Sequence, residues 1–237
     1  MPTDVTFLLD RTGSMRDIAA DTIGAFNAYL AGLQDGADDI TFSLFLFDSL
    51  GLHGDLAGVI LEPVHVCKPV KQVPPLTPTV YTTRGYTPLI DAAYKTIKSV
   101  SRRSKGTDTK VVICIQTDGQ ENSSKKHTWA ELNALVKRKT KAGWQFNFMG
   151  AGIDAYQQAS QMGLNAGQTM SYDSGDRIST VSAFSAQAHN TRLYASGNLA
   201  DTNYTSAQKK MSGDKFVPKP RARKAATSAQ ALPDPVS

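Results

Sequence analysis

Cysteine is scarce in this 237-residue chain: there are two, Cys67 and Cys114. Neither belongs to a Cys-x-x-Cys pair or stands at ligand spacing from a histidine, which argues against a disulfide scaffold and against a zinc site. Both fall in strand-like segments, where they read as small core hydrophobes. No run of about 18 apolar residues occurs, so no membrane span is expected. Met1-Pro2-Thr3-Asp4 leads straight into a strand-like segment, without the charged and apolar stretches of a secretory signal, and a cytoplasmic protein is the simplest expectation. The phosphate-cradling pattern Gly-x-x-x-x-Gly-Lys-Ser/Thr is missing, so an ATPase role would need a separate protein. The four histidines, His53, His65, His127 and His189, are scattered without ligand spacing, and no internal repeat is visible.

The formal charge of +5 is unevenly placed. From Lys209 onward seven basic residues face two acids, which accounts for the whole excess and leaves residues 1–208 neutral. The basic balance therefore says nothing about what the folded part binds. Arg102, Arg103 and Lys105 end one expected helix, and Lys137, Arg138, Lys139 and Lys141 end another. Cations are favourable there on dipole grounds, so a solvated rim is expected. The stretch Lys215 to Lys224 is suited to weak, salt-sensitive, non-specific nucleic-acid contact.

What is present is an alternation of strand-like and helix-like segments. Val5 to Leu9 is a continuous apolar run, as in a strand covered on both faces. Ile18, Ala19, Thr22, Phe26, Tyr29, Leu30 and Leu33 recur at helical spacing. Ile40 to Phe47 reads as a strand, residues 49–57 as a hairpin turn, and Val64 to Val70 as a further strand. Leu89, Ala93, Ile97 and Val100 mark a helix, and Lys110 to Thr117 is the most strand-like segment of all. Thr128-Trp129-Ala130-Glu131 is a capping box opening a helix that ends at Gly143. A strand over Trp144 to Met149, a short helix from Asp154, a strand over Thr169 to Tyr172 and a last helix burying Ile178, Val181, Phe184 and Ala188 complete the series.

The expected fold class is α/β, a doubly wound, mainly parallel sheet flanked by helices in the Rossmann-like manner. Two regions are expected: a folded domain over residues 1–196, and a basic Pro/Ala/Ser-rich tail over 197–237 too poor in apolar residues to order itself.

In such sheets ligands bind outside the carboxyl ends of the strands. At the end of the first strand stands Asp10-Arg11-Thr12-Gly13-Ser14. Residues two apart on an extended chain share a side, so Asp10, Thr12 and Ser14 can converge. Thr87, in Tyr86-Thr87-Pro88-Leu89, and Asp118, in Thr117-Asp118-Gly119-Gln120-Glu121-Asn122, lie in two other segments that end at the same crevice. Two carboxylates and three hydroxyls suit a hard divalent cation, Mg²⁺ above all, with Mn²⁺ as an alternative. Each has a plainer reading: Ser14 and Thr87 as helix caps, Asp118-Gly119 as a turn. Glu121 is a candidate for tuning the site.

Asp-Arg-Thr-Gly-Ser-Met, Gly-Tyr-Thr-Pro-Leu and Thr-Asp-Gly-Gln-Glu-Asn resemble the three signature segments of von Willebrand factor type A (VWA) domains, over roughly residues 3–190. In that family they form the metal-ion-dependent adhesion site (MIDAS). Carried over by position, the resemblance implies metal ligands at Asp10, Thr12, Ser14, Thr87 and Asp118, with Thr12 where many members have serine. It implies binding rather than catalysis: an open coordination position captures an Asp or Glu of a protein partner, often within a scaffold or adaptor beside an ATPase or chaperone. Phe148 to Ala155 resembles a segment of bacterial and phage members, which implies an intracellular protein of that origin.

One enzyme alternative competes. Asp10-Arg11-Thr12-Gly13-Ser14 also resembles the Asp-Lys-Thr-Gly-Thr segment of P-type ATPases and, less closely, the haloacid dehalogenase phosphatase motif, with Asp10 as nucleophile beside Mg²⁺. Thr12 stands where those phosphatases place a second aspartate, and Thr-Asp-Gly-Gln-Glu-Asn lacks their Gly-Asp-x-x-x-Asp pattern.

Overall fold

The computed structural model describes residues 1–36, 39–50 and 58–217. Its centre is a six-stranded sheet. The strands are β1 (Thr3–Asp10), β2 (Ile40–Asp48), β3 (Ile60–Pro69), β4 (Lys110–Thr117), β5 (Gln145–Ala151) and β6 (Thr169–Tyr172). They lie in the order β3-β2-β1-β4-β5-β6. Every neighbouring pair is parallel except β2 with β3. The helices are α1 (Ala19–Gln34), α2 (Leu89–Arg103), α3 (Trp129–Lys141), α4 (Ala155–Met162), α5 (Arg177–Ala195) and α6 (Ser206–Met211). The α/β doubly wound class expected from the alternation is the one observed.

The two-sided cover explains the uninterrupted apolar runs. Val5, Phe7 and Leu9 point into one core with α1 and α5, where the Phe7 ring sits 5.4 Å from Phe26 and 5.9 Å from Phe184. Leu8 points into the other with Ile113, Ile115, Phe146 and Phe148, beneath α2, α3 and α4. Both phases of the strand are apolar because both meet helices.

Three local expectations change, and a fourth falls outside the described residues. Cys67 is exposed, on the edge strand β3 where the pairing with β2 is irregular, so only Cys114 is a core cysteine. Ile178 is 75% exposed in the first turn of α5, whose buried face is largely polar, including Thr180, Gln187, Asn190 and Thr191. Arg103 leaves the solvated rim and forks onto Asp4, with Nε and Nη2 at 2.8 and 2.9 Å from its carboxylate oxygens. Of the expected hairpin at 49–57, residues 51–57 lie outside the described residues.

The boundary at 196 also moves. Residues 198–217 fold back onto the domain, held by a few buried anchors rather than by an apolar stripe. Thr202 and Tyr204 are buried, Asn147 Nδ2 donates to the Thr202 carbonyl at 2.9 Å, and Tyr204 bonds Gln187. Lys209 is buried against Tyr156 and the Ala166 carbonyl. Asp214 accepts from the Tyr156 hydroxyl at 2.6 Å and from the backbone N–H of Ser171, on the outer edge of β6, at 3.0 Å. Residues 218–237 lie outside the described residues. Among the described residues no helix is long and apolar enough to cross a membrane.

Candidate metal centre

The order of strands reverses between β1 and β4, which are neighbours at the middle of the sheet. Such a switch point opens a crevice at the strands' carboxyl ends. Asp10 closes β1 and Thr117 closes β4, and the register that pairs Leu9 with Gln116 leaves these two side by side. The Thr117 hydroxyl donates to Asp10 Oδ2 at 2.5 Å, and the Thr12 N–H donates to Asp10 Oδ1 at 2.7 Å.

From there a chain of contacts takes in the other four residues. Thr12 Oγ1 lies 3.2 Å from Ser14 Oγ and 3.3 Å from Thr87 Oγ1, and the Ser14 hydroxyl donates to Asp118 Oδ1 at 2.7 Å. All five residues named from the sequence therefore share one hydrogen-bonded cluster. Neither hydroxyl is spent as a helix cap. Thr87 precedes Pro88, the cap position of α2, where no side-chain cap bond forms. Instead the Glu121 carboxylate accepts the Ile90 N–H at 2.8 Å, together with the N–H groups of Ser123 and Ser124. Glu121 thus fastens its own loop to the start of α2.

The loops are set by close backbone contacts. Gly85 has φ +69°, and a Cβ there would lie 2.0 Å from the Ser49 carbonyl oxygen. The Gly13 N–H donates to the Gly85 carbonyl at 3.0 Å, the Tyr86 N–H to Ser49 at 3.0 Å, and the Asn122 N–H to Thr87 at 3.1 Å. Gly119 is confined less severely: a Cβ would come within 3.0 Å of Thr87 Oγ1 and 3.7 Å of Ser14 Oγ.

Charge in the cluster is uncompensated. Asp10 is fully buried, and desolvation pushes its carboxyl up to about 7, against the smaller opposing effect of its bond from Thr117. Desolvation also raises Asp118, with the Ser14 bond opposing. The nearest guanidinium points elsewhere: Arg11 is buried with Nε 2.6 Å from Asp48 and Nη1 2.7 Å from Glu62, while Arg84 Nε adds a contact to Asp48 at 2.8 Å. Among the described residues no Lys, Arg or His pairs with Asp10 or Asp118.

These residues fit a hard cation. Oxygen–metal distances of 2.0–2.1 Å in an octahedron put neighbouring ligands about 2.9 Å apart. The oxygens of Ser14 and Asp118, Thr12 and Ser14, and Thr12 and Thr87 are separated by 2.7, 3.2 and 3.3 Å. Among the described residues no group of three or more His, Cys, Asp or Glu side chains is placed to hold a metal, so a mixed carboxylate–hydroxyl set is the candidate.

The fold has counterparts among solved structures. Proximal thread matrix protein 1 from the mussel byssus, with a zinc-occupied MIDAS motif, is 15% identical, covering 82% of this chain and 46% of that one with a TM-score of 0.53. A von Willebrand factor type A structure from Catenulispora acidiphila is 13% identical, covering 81% and 43%, with a TM-score of 0.53. The vWF domain of the type V pili tip protein Mfa5 from Porphyromonas gingivalis is 10% identical, covering 82% and 96%, with a TM-score of 0.57. The chain has the VWA fold.

At these identities the likeness concerns fold alone, and this chain spans less than half the length of the first two. No family model and no curated protein matches the sequence. Within the VWA fold, the switch point of this chain carries Asp10, Thr12, Ser14, Thr87 and Asp118. Sequence reasoning missed Thr117, whose hydroxyl bonds both Asp10 and the Gly119 backbone, because a threonine inside a strand pattern gives no signal of such a role.

Proposed function

We propose that this chain is a divalent-cation-dependent protein-interaction module. Asp10, Thr12, Ser14, Thr87 and Asp118 hold the ion, directly or through water, and Mg²⁺ is the expected occupant with Mn²⁺ able to replace it. A bound ion facing two carboxylates and three neutral hydroxyls keeps a coordination position and residual charge for an Asp or Glu of a protein partner. The observation that carries this reading is the joining of all five oxygen donors in one cluster whose carboxylates have no cationic side chain beside them. The reading extends to a non-enzymatic scaffold or adaptor in an intracellular bacterial or phage complex, in the cytoplasm, with an ATPase or chaperone among candidate partners. The basic stretch after Lys215 is assigned only weak nucleic-acid contact.

The phosphotransfer alternative has less support. A nucleophilic Asp10 needs an oxygen free to attack, yet the side chain is fully buried and both oxygens accept hydrogen bonds. Hydrolysis of para-nitrophenyl phosphate that disappears in Asp10→Asn would revive it.

The deciding experiment is thermal unfolding in EDTA and in millimolar Mg²⁺ or Mn²⁺, with Asp10→Ala beside the wild type. A ligand that binds only the folded state raises stability by RT ln(1 + [L]/Kd), about 2.7 kcal/mol at a hundredfold excess over Kd. A metal-dependent rise absent from the variant supports the site. A flat response in both, including with acidic peptides added, sinks it.

A further inference from the structure

Asp118 stands on a loop with little structure of its own, so something outside that loop must hold it. Thr117 Oγ1 accepts the Gly119 N–H at 3.1 Å from inside the sheet. On the far side stands Gln158, in the second turn of α4 and only 5% exposed. Its Nε2 donates to the Gly119 carbonyl at 3.1 Å, and its Oε1 accepts the Glu121 N–H at 3.0 Å. One primary amide thus clasps the peptide groups on both sides of Gln120 and fixes the turn immediately after Asp118. A carboxylate at that position has no donor for Gly119, and an aliphatic chain satisfies neither group.

The arm that carries Gln158 is itself anchored. Asp154 caps α4 through the Tyr156 N–H at 2.9 Å, and the Ala155 N–H donates to Ser171 Oγ at 2.9 Å. A Cβ at Gly150 would lie 2.6 Å from that of Ala155, so the helix can sit this close to β5 only over a glycine. Gln158 therefore has a fixed base from which to hold a loop that belongs to a different element.

We propose that Gln158 is the positioning residue of the metal centre, setting the place of the Asp118 carboxylate and hence cation affinity without touching the ion. The inference rests on the metal-centre reading given above. Outer partners that orient metal ligands change affinity by about 10–100-fold when removed, and Gln158 belongs with them.

The test measures Mn²⁺ affinity of the full chain by electron paramagnetic resonance of the free ion, at a temperature where every variant is folded. The set is the wild type, Gln158→Leu, Gln161→Leu as a control on the same helix, and Asp10→Ala. Melting in EDTA is recorded in parallel. The expected result is a Kd raised about tenfold or more in Gln158→Leu, unchanged in Gln161→Leu, and binding lost in Asp10→Ala. A merely structural role for Gln158 lowers the EDTA melting temperature and leaves Kd unmoved. Wild-type affinity in folded Gln158→Leu overturns this proposal alone. Failure of the wild type to bind Mn²⁺ overturns it together with the metal-centre reading.

Discussion

Replacing Asp10 with asparagine separates the two demands placed on that residue, folding and charge. In the folded chain the buried carboxyl titrates at about 7, raised from its ordinary 3.8 chiefly by desolvation. Below pH 4 both folded and unfolded chains hold the proton, and Asp10 adds no pH-dependent term. Between pH 4 and 7 the unfolded carboxyl is ionised while the folded one stays neutral, so stability falls as pH rises. Above 7 the full penalty is present: some three pH units at 1.36 kcal/mol each, up to about 4 kcal/mol. Asparagine escapes that penalty and keeps the local bonds. Its carbonyl oxygen can accept the Thr12 N–H, and its amide can donate to Thr117 Oγ1, whose own proton turns to the Gly119 carbonyl 3.2 Å away. In EDTA at pH 8 the variant should therefore melt above the wild type by up to about 8–16 °C, since each kcal/mol is worth about 2–4 °C for a chain of this size. The gap should close toward pH 4. Saturating Mg²⁺ should raise only the wild type and narrow or reverse the order. Circular dichroism melts across pH 4–8, with and without metal, read all three effects. An asparagine variant less stable than the wild type at pH 8 in EDTA would refute the account of an uncompensated buried carboxylate.

Three further outcomes follow from the packing. Gly85→Ala adds left-handed strain of about 1–2 kcal/mol to a clash with the Ser49 carbonyl. It should lower the melting temperature well beyond Gly106→Ala, where φ is +76° but nothing lies within 4 Å of the new Cβ; equal losses would contradict the geometry. Asp48→Ala leaves the buried Arg11 with Glu62 as its remaining partner, and breaking such a pair costs about 3–5 kcal/mol, measurable by urea unfolding. Ending the chain after Ser196 removes Thr202, Tyr204 and Asp214 from the domain. It should lower the melting temperature and increase dye binding by exposed apolar surface, whereas an unchanged melt would show that the segment is dispensable.

The fold class and the meeting of three segments at one crevice were legible in the sequence, because both rest on short-range pattern. A strand covered on two faces is apolar in both phases, and a strand's last side chain points where the strand ends. What escaped depends on distant partners. Glu121 lies beside the site in sequence, yet its oxygens are taken up by backbone N–H groups of α2 and of its own loop. Gln158 sits 39 residues from the carbonyl it holds, in a helix with no unusual composition. Ile178 breaks the apolar pattern of α5 because that helix buries amides and hydroxyls, which hydrophobic periodicity does not count. Residues 198–217 look too polar to order, but Tyr204 and Lys209 each bury a long side chain. A few such anchors suffice when the surface they meet is already folded.

The contact of Asp214 with Ser171 has a consequence for how the chain must be made. β6 is four residues long and is the last strand of the sheet, and an uncovered strand edge is a template for pairing with another chain. The N–H of Ser171 donates to Asp214, a residue 43 positions further on. A ribosome that has released every strand has still not released the seal. During synthesis there is an interval in which the sheet exists with a bare rim, and its length is set by translation rate. Slow codons between residues 172 and 214 should accordingly lower the yield of monomeric protein without changing a single amino acid.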